Sequence, residues 1–186
     1  ASTGGGLSPI NWCYQAYRDN NFEEAMNLCE PVAYAGDANA AFIMASLLAR
    51  ENFGGQDFTA SVSWLEQAAE SGHVEAAYNL AVSYNNGHGV DRDYIKAAKW
   101  YRLAANDGSA KAQRNLAKLY EQGNGLQASD ELAFHWYLKS AEVGLPDSQL
   151  KVGLMSLEGR GVAGSQQQGF DWILRAAEAD YGEAQI

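Results

Sequence analysis

Residues 76–111 read AAYNLAVSYNNGHGVDRDYIKAAKWYRLAANDGSAK, and this stretch decides the fold. It opens with Ala77, Leu80, Ala81 and Tyr84, the i, i+3, i+4, i+7 spacing of one helical face. Gly87 and Gly89 end that helix, because glycine takes positive φ without steric cost. Asp93 then offers a side-chain oxygen to the free N–H groups of a second helix. That helix carries Trp100 and the small pair Ala104-Ala105, and Gly108 stops it. The stretch is a helical hairpin with one apolar stripe on each helix.

Outward from this hairpin the same features recur at a step of 36 residues. Trp64, Trp100, Trp136 and Trp172 keep the step, as do Ala33, Ala69, Ala105, Ala141 and Ala177. So do Gly36, Gly72, Gly108 and Gly144, and the pairs Gly87/Gly89, Gly123/Gly125 and Gly159/Gly161. The helix-start residues Asp57, Asp93, Ser129 and Ser165 follow the same step, and Asp180 replaces the last helix-stopping glycine. Counted from Ala40, four units span 40–75, 76–111, 112–147 and 148–183. A single helix pair cannot bury its stripe alone, so stacked units must share one continuous core. The fold expected is all-α, a right-handed α-solenoid of about ten helices, with the tryptophans packed between them.

Composition narrows the function classes. Hydrophobic residues make up 47%, too many for a disordered chain. No apolar run approaches the length of a membrane-spanning helix. A net charge of −10 opposes a general nucleic-acid role, which needs a basic face. The 2 Cys cannot build a zinc site. His73, His88 and His135 occupy three different places in the repeat and share no face, so no metal site is expected. Ser148 and Lys151 fit an S-x-x-K element and Tyr84-Asn85-Asn86 a Y-x-N element of penicillin-recognising enzymes. They lie two repeats apart with no K-T-G, so penicillin-binding or hydrolytic chemistry is the weakest expectation.

The stretch 76–111 resembles the Sel-one-like repeat (SLR), a 36-residue relative of the tetratricopeptide repeat. The matching elements are Y-N-L-A from Tyr78, G-H-G-V from Gly87, Asp93, K-A-A-K-W-Y from Lys96, A-A-N-D-G from Ala104 and A-K-A-Q from Ala110. The unit 112–147 keeps Gly123, Gly125, Trp136, Tyr137, Ala141 and Gly144; the unit 148–183 keeps Gly159, Gly161, Val162, Trp172, Ala176 and Ala177. The unit 40–75 departs at its turn, where Glu51 and Phe53 replace the two glycines and Gly54-Gly55 are expected to take over. Residues 9–39 are similar instead to a tetratricopeptide unit with a short turn, through Tyr17, Phe22, Ala25 and Val32, and form a capping pair. Residues 1–8 are expected to be a disordered lead or tag remnant, and Ala184-Gln185-Ile186 the start of a truncated further unit whose open end a partner could contact.

Cys13 stands one turn before Tyr17, and Cys29 one turn after Ala25, on the two sides of the first hairpin turn. Both point into the shared interface, as a disulfide or as two buried reduced thiols. The resemblance implies the disulfide, because secreted bacterial members of the family staple their helix pairs. It thereby implies a periplasmic or secreted bacterial protein.

The resemblance also implies that the first helix of each unit builds a concave inner wall. Its inward positions are Phe42, Arg50, Tyr78, Asn79, Val82, Asn86, Lys111, Arg114, Asn115, Lys118, Leu150 and Lys151. Asn79 and Asn115 with Arg114 and Lys118 are similar in kind to the carboxylate clamp of some tetratricopeptide domains. The implied function is a non-enzymatic adaptor or scaffold that needs no cofactor. It would bind a protein or peptide in its groove, through an acidic segment or a C-terminal carboxylate. The alternative is a periplasmic immunity protein that blocks a secreted toxin such as a lipase.

Overall fold

The computed structural model describes residues 8–50 and 57–183, without the side chains of 180–183. The turn at Glu51, Phe53 and Gly54-Gly55, residues 1–7 and residues 184–186 lie outside the described residues. Among the described residues there are ten α-helices and no strand. They are α1 (Pro9–Arg18), α2 (Phe22–Tyr34), α3 (Ala38–Leu48), α4 (Phe58–Glu70), α5 (Val74–Asn86), α6 (Tyr94–Asn106), α7 (Ala110–Gln122), α8 (Asp130–Glu142), α9 (Pro146–Glu158) and α10 (Gln166–Glu183). The chain forms two compact units, one ending at Arg92 and the other starting at Asp93. Within each unit every helix packs against the next in sequence, as an α-solenoid requires.

The first unit holds α1 to α5. Cys13 and Cys29 form a disulfide between α1 and α2, with Cα atoms 4.7 Å apart and both residues fully buried. Ala25, Val32 and Ala33 of α2 are buried with them. Asp37 caps α3 by accepting from the Ala40 N–H at 2.8 Å, and it also accepts from the Tyr14 hydroxyl at 2.6 Å. The residue 36 positions on is His73, whose Nδ1 accepts from the Ala76 N–H at 3.1 Å and caps α5. Burial lowers its pKa, which keeps the capping nitrogen unprotonated. Tyr84 donates to Glu66 at 2.7 Å and ties α5 to α4.

The second unit repeats these devices. Asp93 and Ser129 cap α6 and α8, and the Ser165 hydroxyl accepts from the Gln168 N–H at the start of α10. Ser109 caps α7; Leu145 at the same step has no capping side chain, and Pro146 starts α9 with a preset φ. Gln113 donates to the Ala105 carbonyl at 3.1 Å, and Gln149, 36 residues later, to the Ala141 carbonyl at 3.2 Å. Ser148 donates to Ser140, which donates to the Ala110 carbonyl, a buried chain that joins α9, α8 and α7. Trp100 and Trp136 are buried, with Lys99 and Lys139 over their rings at 5.0 Å. In the first unit Trp64 is half-buried, edge-on to Tyr34, and in the second Trp172 is half-buried beneath Arg175. The small alanines Ala68, Ala69, Ala104, Ala105 and Ala141 are all buried, which lets neighbouring helices approach closely.

The G-x-G turns do more than stop a helix. Gly87, Gly123 and Gly159 are left-handed and close their helices, as their spacing predicts. The second glycine of each turn sits against the backbone that starts an earlier helix. Gly89 meets Phe58 in the first unit; Gly125 meets Tyr94 and Gly161 meets Asp130 in the second. A Cβ at any of the three would collide with main-chain atoms.

Three outcomes are expected for stability. Gly125→Ala adds a backbone collision to left-handed strain and lowers the unfolding free energy by about 2–5 kcal/mol. Gly108→Ala, whose Cβ would meet nothing within 4 Å, loses only about 1–2 kcal/mol of backbone strain. Urea denaturation of the two variants separates these values. The double variant Cys13→Ala/Cys29→Ala loses about 3 kcal/mol in the chain-entropy estimate for a loop of this size, read from the same melts without reductant.

Candidate protein-binding site

The first helices of the repeats carry the residues that the sequence places on a binding wall, and the two units treat theirs differently. In the first unit Phe42 stacks on His73 with ring centroids 4.4 Å apart. The Arg50 guanidinium lies over the Phe22 ring at 4.1 Å. Tyr78, Asn79 and Val82 are half-buried on α5, and exposed Asn86 accepts from Asn85 at 2.8 Å. The charge and the rings here are already engaged within the unit.

In the second unit α7 presents Lys111, Arg114, Asn115 and Lys118 at helical spacing, and α9 presents Leu150 and Lys151. Four of these six residues meet. Arg114, Lys118, Leu150 and Lys151 line a cleft of about 190 Å³, together with Tyr137, Asp147 and Leu154. Arg114 Nη1 bonds Asp147 Oδ2 at 2.9 Å. Asn115 turns to the hydroxyl of buried Tyr101 at 3.2 Å. Lys111 and Lys118 are exposed. Of the clamp suggested by the sequence, Asn115, Arg114 and Lys118 share α7, while Asn79 belongs to the first unit.

A carboxylate that the sequence reading did not single out organises the side of this cleft. Glu121 sits in the last turn of α7 with its side chain only 17% exposed. It accepts from the Tyr137 hydroxyl at 2.9 Å and from Lys151 Nζ at 3.1 and 3.2 Å. Arg160 reaches it at 3.4 Å and pairs with Asp130 at 2.8 Å. Burial by itself raises the Glu121 pKa; the hydrogen bonds from Lys151 and Tyr137 and the charges of Lys151 and Arg160 outweigh it, and the net shift is downward. The Tyr137 hydroxyl is pushed well above its ordinary range by burial and by donating to Glu121. Three helices and the α9–α10 turn are thus tied by one carboxylate.

Ser148 and Lys151 do not act as a pair. The Ser148 hydroxyl is fully buried and donates to Ser140, and the Lys151 amine is held by Glu121.

Residues 38–73, 74–109, 110–145 and 146–181 each match the Sel1 repeat. The chain belongs to the Sel1 repeat family. The matched windows start two residues before units counted from Ala40, so that each begins at the first helix of a pair. The chain is similar to a protective antigen of uropathogenic Escherichia coli with an SLR fold, at 33% identity and a TM-score of 0.78 over 82% of this chain and 33% of that one. It therefore spans about a third of that antigen's length. A Sel1 repeat protein from Oxalobacter formigenes shares the fold at 23% identity and a TM-score of 0.85, over 92% of this chain and 74% of its own. The cysteine rich protein B of Helicobacter pylori matches at 20% identity and a TM-score of 0.52, over 78% and 97%. No curated protein matches the chain.

Within this Sel1 repeat array, Glu121 is expected to carry an acid-sensitive share of stability. Its folded pKa is depressed, so its contribution is complete above the ordinary carboxylate range and is lost as pH falls through the lower folded value. Glu121→Gln should cost about 1–2 kcal/mol at pH 7, from the loss of charge-assisted bonds. The gap from the parent should be smaller at pH 3 than at pH 7. Parallel urea melts at the two pH values measure this, and a gap of constant size would contradict it.

Proposed function

We propose that this Sel1 repeat chain is a non-enzymatic protein-interaction module. It holds an extended segment of a partner protein along the first helices of its repeats. The observation that carries this reading is the α7–α9 cleft. Three cations, Arg114, Lys118 and Lys151, line it beside apolar Leu150 and Leu154, in a chain whose net charge is −10. Such a surface suits an acidic or carboxylate-bearing segment with apolar side chains.

The Cys13–Cys29 disulfide supports a periplasmic or secreted setting, since such bonds persist in oxidising compartments. Among the described residues no helix is long and apolar enough to cross a membrane. The matched structures named above come from bacteria. The same disulfide favours a second reading, an immunity protein that blocks a secreted toxin by a tight, shape-matched surface. One-to-one inhibition of a toxin's activity by the purified chain would select it over the adaptor.

The adaptor reading is tested with Arg114→Ala/Lys118→Ala. A partner isolated on the parent protein from a bacterial envelope extract should bind this variant at least about tenfold more weakly, the loss expected for two charge-assisted bonds. Helicity by circular dichroism should not change. Equal affinity of parent and variant would remove this face from consideration.

A further inference from the structure

A separate groove of the second unit, about 610 Å³ in volume, runs along α6, the second helix of its pair. Ile95, Ala98, Lys99, Arg102 and Leu103 line it at the i, i+3, i+4, i+7, i+8 spacing of one helical stripe, and Leu126 of the α7–α8 turn lines it as well. The period shows what is particular to this helix. The residues at the step of 36 from Ala98 are Val62, Phe134 and Phe170, all larger, so Ala98 gives the groove a low floor. The flanking positions depart in the opposite sense. Ile95 stands where the other pairs carry Thr59, Glu131 and Gln167, and Leu103 where they carry Gln67, Lys139 and Arg175. Ile95 is 71% exposed. Single exposed apolar residues are ordinary, whereas two that frame a notch form a patch that a partner can cover.

The rim of the groove is cationic. Lys99 and Arg102 are exposed, and neither makes an ion pair among the described residues. Lys99 lies over the ring of Trp100, and Arg102 Nη2 donates to the Tyr120 hydroxyl at 2.8 Å. A guanidinium has five N–H donors, so this bond leaves most of its fork for another acceptor. No other pair places Lys or Arg at either position: the counterparts are Ser63, His135 and Asp171 for Lys99, and Glu66, Leu138 and Leu174 for Arg102. Asp107, just past the end of α6, is the one carboxylate in the lining.

We propose that this groove docks an acidic amphipathic helix of a partner protein. An apolar side chain of that helix enters over Ala98 between Ile95 and Leu103, and its carboxylates meet Lys99 and Arg102. Inside the array, buried alanines let neighbouring helices approach closely, and Ala98 offers an incoming helix the same small surface. The stripe from Ile95 to Leu103 extends about 12 Å along α6, about two turns of the visitor. Charge selects an acidic visitor, because the free charges beside the apolar notch are both positive. It also opposes a second copy of this chain. A two-fold contact that paired Ile95 with Leu103 of the other copy would set Lys99 against Lys99 at its centre. The proposal concerns a face other than the first-helix wall and does not rest on the adaptor reading.

The test is an NMR titration of the full disulfide-bonded chain with a synthetic peptide of about 18 residues, long enough to be helical, with Leu along one face and Glu on its flanks. A second peptide carries Lys in place of Glu. The Glu peptide should shift the methyl signals of Ile95, Leu103 and Leu126, and the Lys peptide should bind at least about fivefold more weakly. Ala98→Phe, which installs the residue that α8 and α10 carry at this place, should fill the notch and weaken the Glu peptide at least about tenfold. Ile95→Thr/Leu103→Gln, the residues of α4, should do the same and serves as the readout should Ala98→Phe fail to fold. Arg114→Ala/Lys118→Ala should bind the peptide as the parent does. Unmoved methyl signals, equal binding of the two peptides, or full affinity in a folded Ala98→Phe or Ile95→Thr/Leu103→Gln variant would overturn the proposal. A parent dimer that Ile95→Thr/Leu103→Gln dissociates would assign the groove to a second copy and overturn it as well. Binding that only Arg114→Ala/Lys118→Ala abolishes would place the peptide on the first-helix wall, which removes this inference and leaves the adaptor reading standing.

Discussion

Three of the repeats in this chain are locked to the helix before them by a contact between backbones. The second glycine of each G-x-G turn rests on the main chain at the start of a helix 31 positions earlier, as with Gly125 on Tyr94 and Gly161 on Asp130. Such a contact leaves no space for a Cβ, and the left-handed φ of these glycines is a conformation that other residues adopt only with strain. Adding or removing a residue between the two ends would move the turn off its seat. A core of interdigitating side chains can absorb small changes of volume by repacking. Two main chains in contact cannot. In these three turns the seat holds the helix start and the turn at a spacing of 31 residues.

The alanines follow from the same constraint. Once turn and helix start are locked together, the distance between neighbouring helices is set, and the residues between them must match it. In the second unit Ala104, Ala105 and Ala141 fill that space with methyl groups, while Tyr101 and Tyr137 fill the wider gaps. Polar groups are spent on the joins. Gln113 and Gln149 each reach the carbonyl of a buried alanine one helix back. The Tyr84–Glu66 bond in the first unit and the Tyr120–Arg102 bond in the second occupy the same repeat positions with the charge reversed. The tyrosine hydroxyl can accept or donate, so the join survives a change from carboxylate to guanidinium.

This separation explains what could be read in the sequence. Helices, caps and hairpin turns recur at 36, and their positions stand out because several copies agree. The disulfide was legible as a pairing of facing positions, with its oxidation left to the resemblance. The seating role of the second glycine was hidden, since a turn and a turn in contact carry the same two letters. At the site, Arg114, Lys118, Leu150 and Lys151 could be found because they fall at wall positions of the repeat. Glu121, Asp147 and Arg160 could not. The residues 36 positions before and after Glu121 are Asn85 and Leu157, so nothing in the period marks it. Its partners Tyr137, Lys151 and Arg160 come from three later segments that only the folded chain brings to one carboxylate.

What departs from the period gives the second unit its individual features. Seats, alanines and caps recur through the array and say nothing about a partner. Among the described residues the Glu121 network occurs once, and it holds Lys151 beside the α7–α9 cleft while Asp147 engages Arg114. Without those two carboxylates the cations of α7 and α9 would repel one another across a narrow cleft. With them, Arg114 and Lys151 are each paired, and the pair of Arg114 with exposed Asp147 is the weaker of the two. Lys151 is held by a carboxylate that is mostly buried and triply bonded, which makes it the fixed side of the cleft.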